Sequence, residues 1–128
     1  MSAQYNLPVA LDESASGVNT LMELHAKGWR GPMTVKPSLL GALDLFIAWR
    51  DKYLPNLIYS SAFETAIGFH SFLRTALSDP RKEIPALGAG KLSFFPDDGL
   101  QLYDSSSRLN LWQFTSDDFT NIWDRLPN

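Results

Sequence analysis

Three short apolar runs, each followed by a segment with helical periodicity, dominate the first two-thirds of the chain. The runs occupy residues 7–11, 33–36 and 56–60. Apolar residues then recur every three or four positions, at Val18, Leu21, Met22 and Leu24, at Leu39, Leu40, Leu43, Phe46, Ile47 and Trp49, and at Phe63, Ile67, Phe69, Phe72, Leu73 and Leu77. The pattern predicts three consecutive strand–helix units, and strands this short and apolar are typical of a parallel sheet covered by helices.

Capping and breaking residues suggest where these helices begin and end. Ser14 or Ser16 is expected to cap the first helix, which stops at Gly28. Ser38 precedes the second helix, and Pro80 marks the end of the third. These boundaries fit units of about 25 residues, the length of a strand, a helix and two loops.

Consecutive strand–helix units leave two architectures open, because their crossovers are right-handed: a Rossmann-like sheet or part of a (β/α)-barrel. No Gly-x-Gly-x-x-Gly or Walker A sequence follows any of the runs, which disfavours a nucleotide site. Beyond Pro80 the pattern changes. Residues 84–95 predict one more strand, residues 100–111 predict short strands, and Ser116 is expected to cap a final helix.

Composition restricts the functional classes. The chain has 128 residues, 45% hydrophobic and 20% charged, which suits one globular domain. A net charge of -3 without a basic patch argues against nucleic-acid binding, and the absence of cysteine excludes disulfides and thiolate chemistry. The most apolar run, 39–49, contains Asp44 and is too short to span a bilayer. Residues 1–8 do not resemble a signal peptide, so we expect a cytoplasmic protein without membrane partners.

Polar residues stand where each predicted strand ends. They are Asp12 and Glu13 after the first run, Lys36 after the second, and Ser60, Ser61 and Glu64 after the third. Because the carboxyl ends of parallel strands meet at one edge of a sheet, these side chains are expected to form a rim. Side-chain alternation predicts that Asp12 and Lys36 point to the same side, where they would pair with each other or serve a bound cation and anion.

A solvated strand end is the alternative explanation, since Asp, Glu and Lys are usually exposed. Lys36 is less easily explained this way, because Pro37 holds it close to the sheet. His25 and His70 fall on the outer helices, where a structural or surface role is expected. On spacing alone, an active-site rim and a solvated strand edge both remain open.

Three stretches, in their order and spacing, resemble the o-succinylbenzoate synthases of the enolase superfamily, in the muconate-lactonizing-enzyme-like subgroup. They are residues 8–14, 35–41 and 60–68, and the segment 84–88 also agrees. The resemblance implies an α/β fold in which residues 1–95 form the C-terminal half of a (β/α)-barrel, with about four βα units. Residues 96–128 would then return towards the capping domain of the complete enzyme.

The resemblance also implies roles for individual residues. Asp12 would be the third carboxylate ligand of a Mg²⁺ ion, at the end of the fifth barrel strand. Lys36, on the sixth strand, would be a catalytic lysine that stabilises an enolate intermediate by its charge. Ser60 and Ser61 would lie near the succinyl end of a small carboxylate substrate. The implied reaction is a β-elimination of water in menaquinone or phylloquinone biosynthesis, which a divalent ion and a fixed ammonium would favour.

The family pattern also includes a Lys-x-Lys on the second barrel strand and two further metal carboxylates, which this sequence does not contain. We therefore expect Mg²⁺ binding only with ligands from a separate N-terminal half, and an isolated chain that is inactive. Open strand edges predict assembly with such a half or self-association. Two alternatives remain: a racemase or epimerase of the same superfamily, with Lys36 as an acid/base, and a non-catalytic half-barrel that serves as an interaction module.

Overall fold

Parallel strands alternate with helices along the chain. The computed structural model describes residues 9–83 and 85–89, together with Thr115, Asp117, Thr120, Asn121 and Asp124. The elements are α1 (Val18–Ala26), β1 (Met33–Val35), α2 (Leu43–Tyr53), β2 (Leu57–Ser60), α3 (Ala66–Leu77) and β3 (Leu87–Gly88), with 3-10 turns at Glu13–Ala15 and Pro37–Leu39. None of the described helices is long and apolar enough to cross a membrane.

The three strands form one parallel sheet in the order β1-β2-β3. Val35 pairs with Tyr59 in β2, and Ser60 pairs with Gly88 in β3. On the other edge of β1, Leu11 makes an isolated parallel bridge to Met33, so the chain before α1 continues the parallel arrangement. A mixed α/β fold with a small parallel sheet is therefore confirmed, whereas the strand predicted at 7–11 is present among the described residues only as the isolated bridge at Leu11. The barrel and the boundary between residues 1–95 and 96–128 remain predictions.

The core lies between one face of the sheet and the helices. Val35 and Tyr59 are fully buried on this face, and Phe46 and Leu21 pack against it from α2 and α1. Burial of large apolar side chains of this kind contributes roughly 1.5–3 kcal/mol each. Because side chains alternate along a strand, the neighbouring Thr34 points to the opposite face, where it is only partly buried. The second face carries the predicted rim.

The starts of the first two helices differ from the predictions. The N-cap of α1 is Gly17, with a φ of 79° and no side-chain cap, so the predicted caps Ser14 and Ser16 are wrong. Ser38 lies in the second 3-10 turn, and α2 begins only at Leu43. Gly41, whose φ is 81°, lies between the turn and the helix and directs the chain away from a continuous helix. Both differences arise because a glycine with positive φ redirects the chain.

The third unit follows its prediction more closely. Thr65 caps α3, its Oγ1 accepting a hydrogen bond from the Gly68 amide at 3.3 Å, so Phe63 lies outside the helix. The helix ends at Leu77, shortly before Pro80 as expected. The strand expected within 84–95 is present at β3. The strands predicted at 100–111 and Ser116 lie outside the described residues, whereas Asp117, Thr120 and Asn121 are helical.

Candidate functional site

The predicted strand-end residues Asp12 and Lys36 form an ion pair. Lys36 Nζ lies 2.9 Å from Asp12 Oδ1, and the two side chains are 29% and 46% exposed, respectively. A backbone hydrogen bond from Thr34 N–H to Leu11 O, at 2.7 Å, holds their strand segments side by side. The structure thus brings together the two residues that alternation placed on one side of the sheet. Their expected roles as metal ligand and catalytic lysine remain predictions.

The backbone around Lys36 is well constrained. Lys36 is extended, with a φ of -113°, and is followed by the buried Pro37. Its carbonyl accepts a hydrogen bond from Leu39 N–H at 2.8 Å, which closes the 3-10 turn. Since proline fixes its own φ and restricts the residue before it, Lys36 leaves the sheet in a defined direction. The ammonium group is consequently attached to a strand end whose direction also depends on the 3-10 turn that follows it.

Ser60 and Ser61 complete the end of β2. Because Val35 pairs with Tyr59, Lys36 and Ser60 follow at the same level on adjacent strands. Ser60 Oγ donates to the Ser61 carbonyl at 3.2 Å. Ser61 donates to the Gly88 carbonyl through its backbone N–H at 3.0 Å and through its Oγ at 3.2 Å. The two serines therefore join the rim to β3, and their substrate-binding role remains a prediction.

A second contact at the rim, between Ser38 and Glu64, was not predicted. Ser38 Oγ donates to Glu64 Oε1 at 2.7 Å. Glu64 Oε2 is buried and has no hydrogen-bond partner among the described residues. The sequence places Ser38 shortly after Lys36 and Glu64 shortly after Ser60, on the loops that follow neighbouring strands. Sequence separation alone does not say which residues of two adjacent loops touch.

The described residues alone do not fit a magnesium site. No group of three or more His, Cys, Asp or Glu side chains that could hold a metal occurs among them. Asp12 pairs with Lys36, and its neighbour Glu13 lies in a 3-10 turn. Mg²⁺ requires near-octahedral oxygen coordination and loses its water ligands reluctantly, so one carboxylate is insufficient. The expectation that other ligands come from an N-terminal half remains a prediction.

A connected cluster of charged and polar side chains lies on the helix-covered face, away from the rim residues. Arg50 donates to Tyr59 Oη at 3.3 Å, and Tyr59 Oη donates to Asp79 Oδ2 at 2.9 Å. Arg81 binds both carboxylate oxygens of Asp79, at 2.7 and 2.6 Å. Burial raises the pKa of Tyr59 to about 12. Burial alone would also raise the pKa of Asp79, but hydrogen bonds from Arg81 and Tyr59 hold it below its ordinary value.

The histidines lie in the helical layer, and the structural or surface role expected for them remains a prediction. The His25 ring lies 5.7 Å from the Trp49 ring in an edge-on arrangement and 5.3 Å from the Tyr53 ring. His70 is buried within α3. Beside His25, a cavity of about 280 Å³ is bounded by Arg30 and by residues at the amino ends of β1 and β2. This cavity is at the opposite end of the strands from Lys36.

No protein-family model, curated protein or solved structure matches the chain. Two features of the chain itself point to a function: the ordered set of sequence motifs, and the geometry at the carboxyl ends of the strands.

Proposed function

We propose that the chain is the C-terminal half of an enolase-superfamily barrel, with the activity of an o-succinylbenzoate synthase when the barrel is complete. One observation carries the proposal. Asp12 and Lys36, 24 positions apart in the sequence, meet at 2.9 Å on adjacent parallel strand ends. The motif resemblance assigns a metal carboxylate and a substrate-facing lysine to these same two positions, which supports the proposal.

A structural role explains the pair poorly. Ion pairs exposed to this extent contribute only about 0.2–1 kcal/mol, because water screens the attraction and two flexible side chains must be ordered. Lys36 nevertheless occupies a constrained backbone position before Pro37. A constrained ammonium group at the carboxyl edge of a parallel sheet is more useful for binding an anion than for stabilising the fold.

The chemistry assigned to this chain is charge stabilisation. In the proposed reaction a proton leaves the carbon next to the substrate carboxylate, and hydroxide leaves the adjacent carbon. The intermediate enediolate carries extra negative charge, which the Lys36 ammonium would stabilise once the barrel excludes water. Ser60 and Ser61 would contact the succinyl end of the substrate. Removal of the proton belongs to the N-terminal half, which would supply the acid/base lysine.

Magnesium enters the proposal only for the assembled barrel. Asp12 would provide one oxygen ligand, and the N-terminal half would provide the remaining protein carboxylates. A bound divalent ion would supply a positive charge next to the substrate carboxylate.

Reconstitution tests the proposal. The chain would be coexpressed with the N-terminal half of an o-succinylbenzoate synthase, containing the Lys-x-Lys strand and two metal carboxylates. The copurified complex would then be assayed with Mg²⁺ and the cyclohexadiene substrate, whose aromatic product absorbs in the ultraviolet. We expect turnover from the complex and none from either half alone. A folded, copurified complex without dehydration would contradict the proposed activity.

Variants of the complex test whether activity depends on the rim residues and not on charged residues elsewhere on the surface. Lys36→Gln and Asp12→Asn should each lower kcat by about 100-fold or more, the effect of removing a charge that acts on the transition state. Lys27→Gln is the matched control, since Lys27 also forms an ion pair with a carboxylate, Glu23, but at the end of α1. It should retain full activity.

The same complex distinguishes the alternatives. Exchange of the substrate α-proton in D₂O without loss of water would indicate a racemase or epimerase, with Lys36 as a second acid/base. Absence of both exchange and Mg²⁺ binding would indicate a non-catalytic half-barrel that serves as an interaction module. Each result is obtained from one preparation, by NMR for exchange and by calorimetry for the metal.

A further inference from the structure

Glu64 holds its carboxylate in a partly buried position at the rim. Its side chain folds back over the first turn of α3, where a Cβ on Gly68 would lie only 2.8 Å from Glu64 Cβ and 3.1 Å from Cγ. Oε1 accepts the hydrogen bond from Ser38, and Oε2 is buried without a partner among the described residues. Burial of a carboxylate oxygen is unfavourable, so this position requires a compensating interaction.

The compensating interaction links two neighbouring loops. The short hydrogen bond from Ser38 to Glu64 is charge-assisted, which makes it stronger than a neutral one. The amino end of α3 also favours a negative charge nearby. Glu64 thereby connects the loop after β2 to the 3-10 turn after β1. This turn begins directly after Lys36, the residue that carries the ammonium group.

The 3-10 turn is held from two sides. On one side, Leu40 at its end accepts a hydrogen bond from Val18 N–H in α1, at 3.2 Å. On the other side, Ser38 is bound by Glu64 at the start of α3. Lys36 precedes the turn, and its carbonyl accepts the Leu39 N–H that closes it. Loss of either anchor would let the turn move and change the direction in which Lys36 projects.

We propose that Glu64 is a positioning residue for Lys36, acting through Ser38. By fixing the turn, Glu64 keeps Lys36 Nζ within reach of Asp12 and directed over the rim. The inference rests on the proposed function in one respect, namely that Lys36 faces the substrate. The contact between Glu64 and Ser38, and its effect on Lys36, can be measured without any turnover.

Competitive acylation of lysines tests this role in the intact chain. A limiting amount of acetic anhydride labels the amines, and mass spectrometry gives the labelling of Lys36 relative to Lys27 and Lys52. The ion pair with Asp12 should protect Lys36 from acetylation. We expect Glu64→Ala and Ser38→Ala each to raise the relative labelling of Lys36 by about two-fold or more, the change expected when an exposed ion pair is weakened. Lys27 and Lys52 should not change.

Conservative variants provide the matched controls. Glu64→Gln keeps an acceptor oxygen of the same reach, and Ser38→Thr keeps the hydroxyl donor, so both should restore protection of Lys36. The double variant Glu64→Ala/Ser38→Ala should not exceed either single variant, because the two side chains act through one hydrogen bond.

Two results would overturn the inference. One is an unchanged Lys36 ratio in a folded Ser38→Ala protein, and the other is an equal rise at all three lysines, which would indicate general loosening. If Glu64→Ala does not give a native circular dichroism spectrum, the Ser38→Ala result decides, since the Ser38 side chain is exposed. A labelling shift in a chain that gives an inactive reconstituted complex would support the role of Glu64 and refute the dehydratase.

Discussion

Arg50 donates a hydrogen bond to the hydroxyl of Tyr59 at 3.3 Å, and both side chains are fully buried. Arg50 also donates to the carbonyls of Thr75 and Ser78, at 2.9 and 3.1 Å. A single guanidinium thus joins α2 to β2 and to the end of α3. A buried charge is tolerated only with such fixed acceptors. This cluster holds the helices on the sheet, while the rim pair Asp12 and Lys36 lies at the strand ends.

Removal of Arg50 should destabilise the protein strongly. Arg50→Ala removes the donor to the buried Tyr59 hydroxyl and the hydrogen bonds to the Thr75 and Ser78 carbonyls, so we expect the free energy of unfolding to fall by about 3–5 kcal/mol. Urea denaturation followed by circular dichroism measures the change. Arg74→Ala, at an exposed position of α3, should change the same quantity by no more than about 0.5 kcal/mol. Similar losses for both variants would contradict the structural role of Arg50.

Stability should fall at alkaline pH because of Tyr59. Its pKa is raised from 10.0 to about 12 in the folded protein, mainly by burial. The unfolded chain therefore releases this proton first, so the contribution of Tyr59 is fully present below pH 10 and disappears as the pH rises towards 12. Urea midpoints measured across this range give the slope. Tyr59→Phe, which has no ionisable group there, should show a shallower decline; equal slopes would contradict the prediction.

The rim pair should matter little for stability. Lys36→Gln and Asp12→Asn should each change the free energy of unfolding by less than about 1 kcal/mol, because the pair is partly exposed to water. Thermal and urea unfolding of the isolated chain measure this. A loss comparable to that of Arg50→Ala would show that the pair is a structural element, and would weaken the argument that it belongs to a functional site.

Gly68→Ala should fail to stabilise α3. Replacing a glycine within a helix by alanine normally adds about 1 kcal/mol. Here the new Cβ would meet Glu64 Cβ at 2.8 Å, so Glu64 must move and release Ser38. We expect no gain in the free energy of unfolding, together with raised labelling of Lys36. Ala48→Gly, at an exposed position in α2, calibrates the helix effect with a loss of about 1 kcal/mol. A stabilised Gly68→Ala protein with unchanged labelling would contradict this prediction.

The alternation of strands and helices could be predicted from the sequence because it depends on local periodicity. Apolar residues spaced for a strand or a helix bury one face in almost any arrangement of the chain. The meeting of Asp12 and Lys36 was also predictable. Once the strands are parallel, their carboxyl ends share one edge, and alternation determines the side on which each residue projects.

Contacts between loops and within the helical layer could not be predicted in the same way. Gly17 and Gly41 redirect the chain through positive φ values, which the spacing of apolar residues does not reveal. The pairing of Ser38 with Glu64 depends on how two loops approach each other across the rim.

The sequence by itself therefore determined the repeating strand–helix unit and the polar rim, including the side of the sheet shared by Asp12 and Lys36. Only the tertiary structure decided where α1 and α2 begin, which residues connect the rim loops, and that Arg50 is buried among acceptors from α3. The reason is physical: periodicity is encoded over a few adjacent residues. By contrast, Ser38 and Glu64 are 26 positions apart in the sequence and lie on separate loops. They meet only after the strand–helix units have packed.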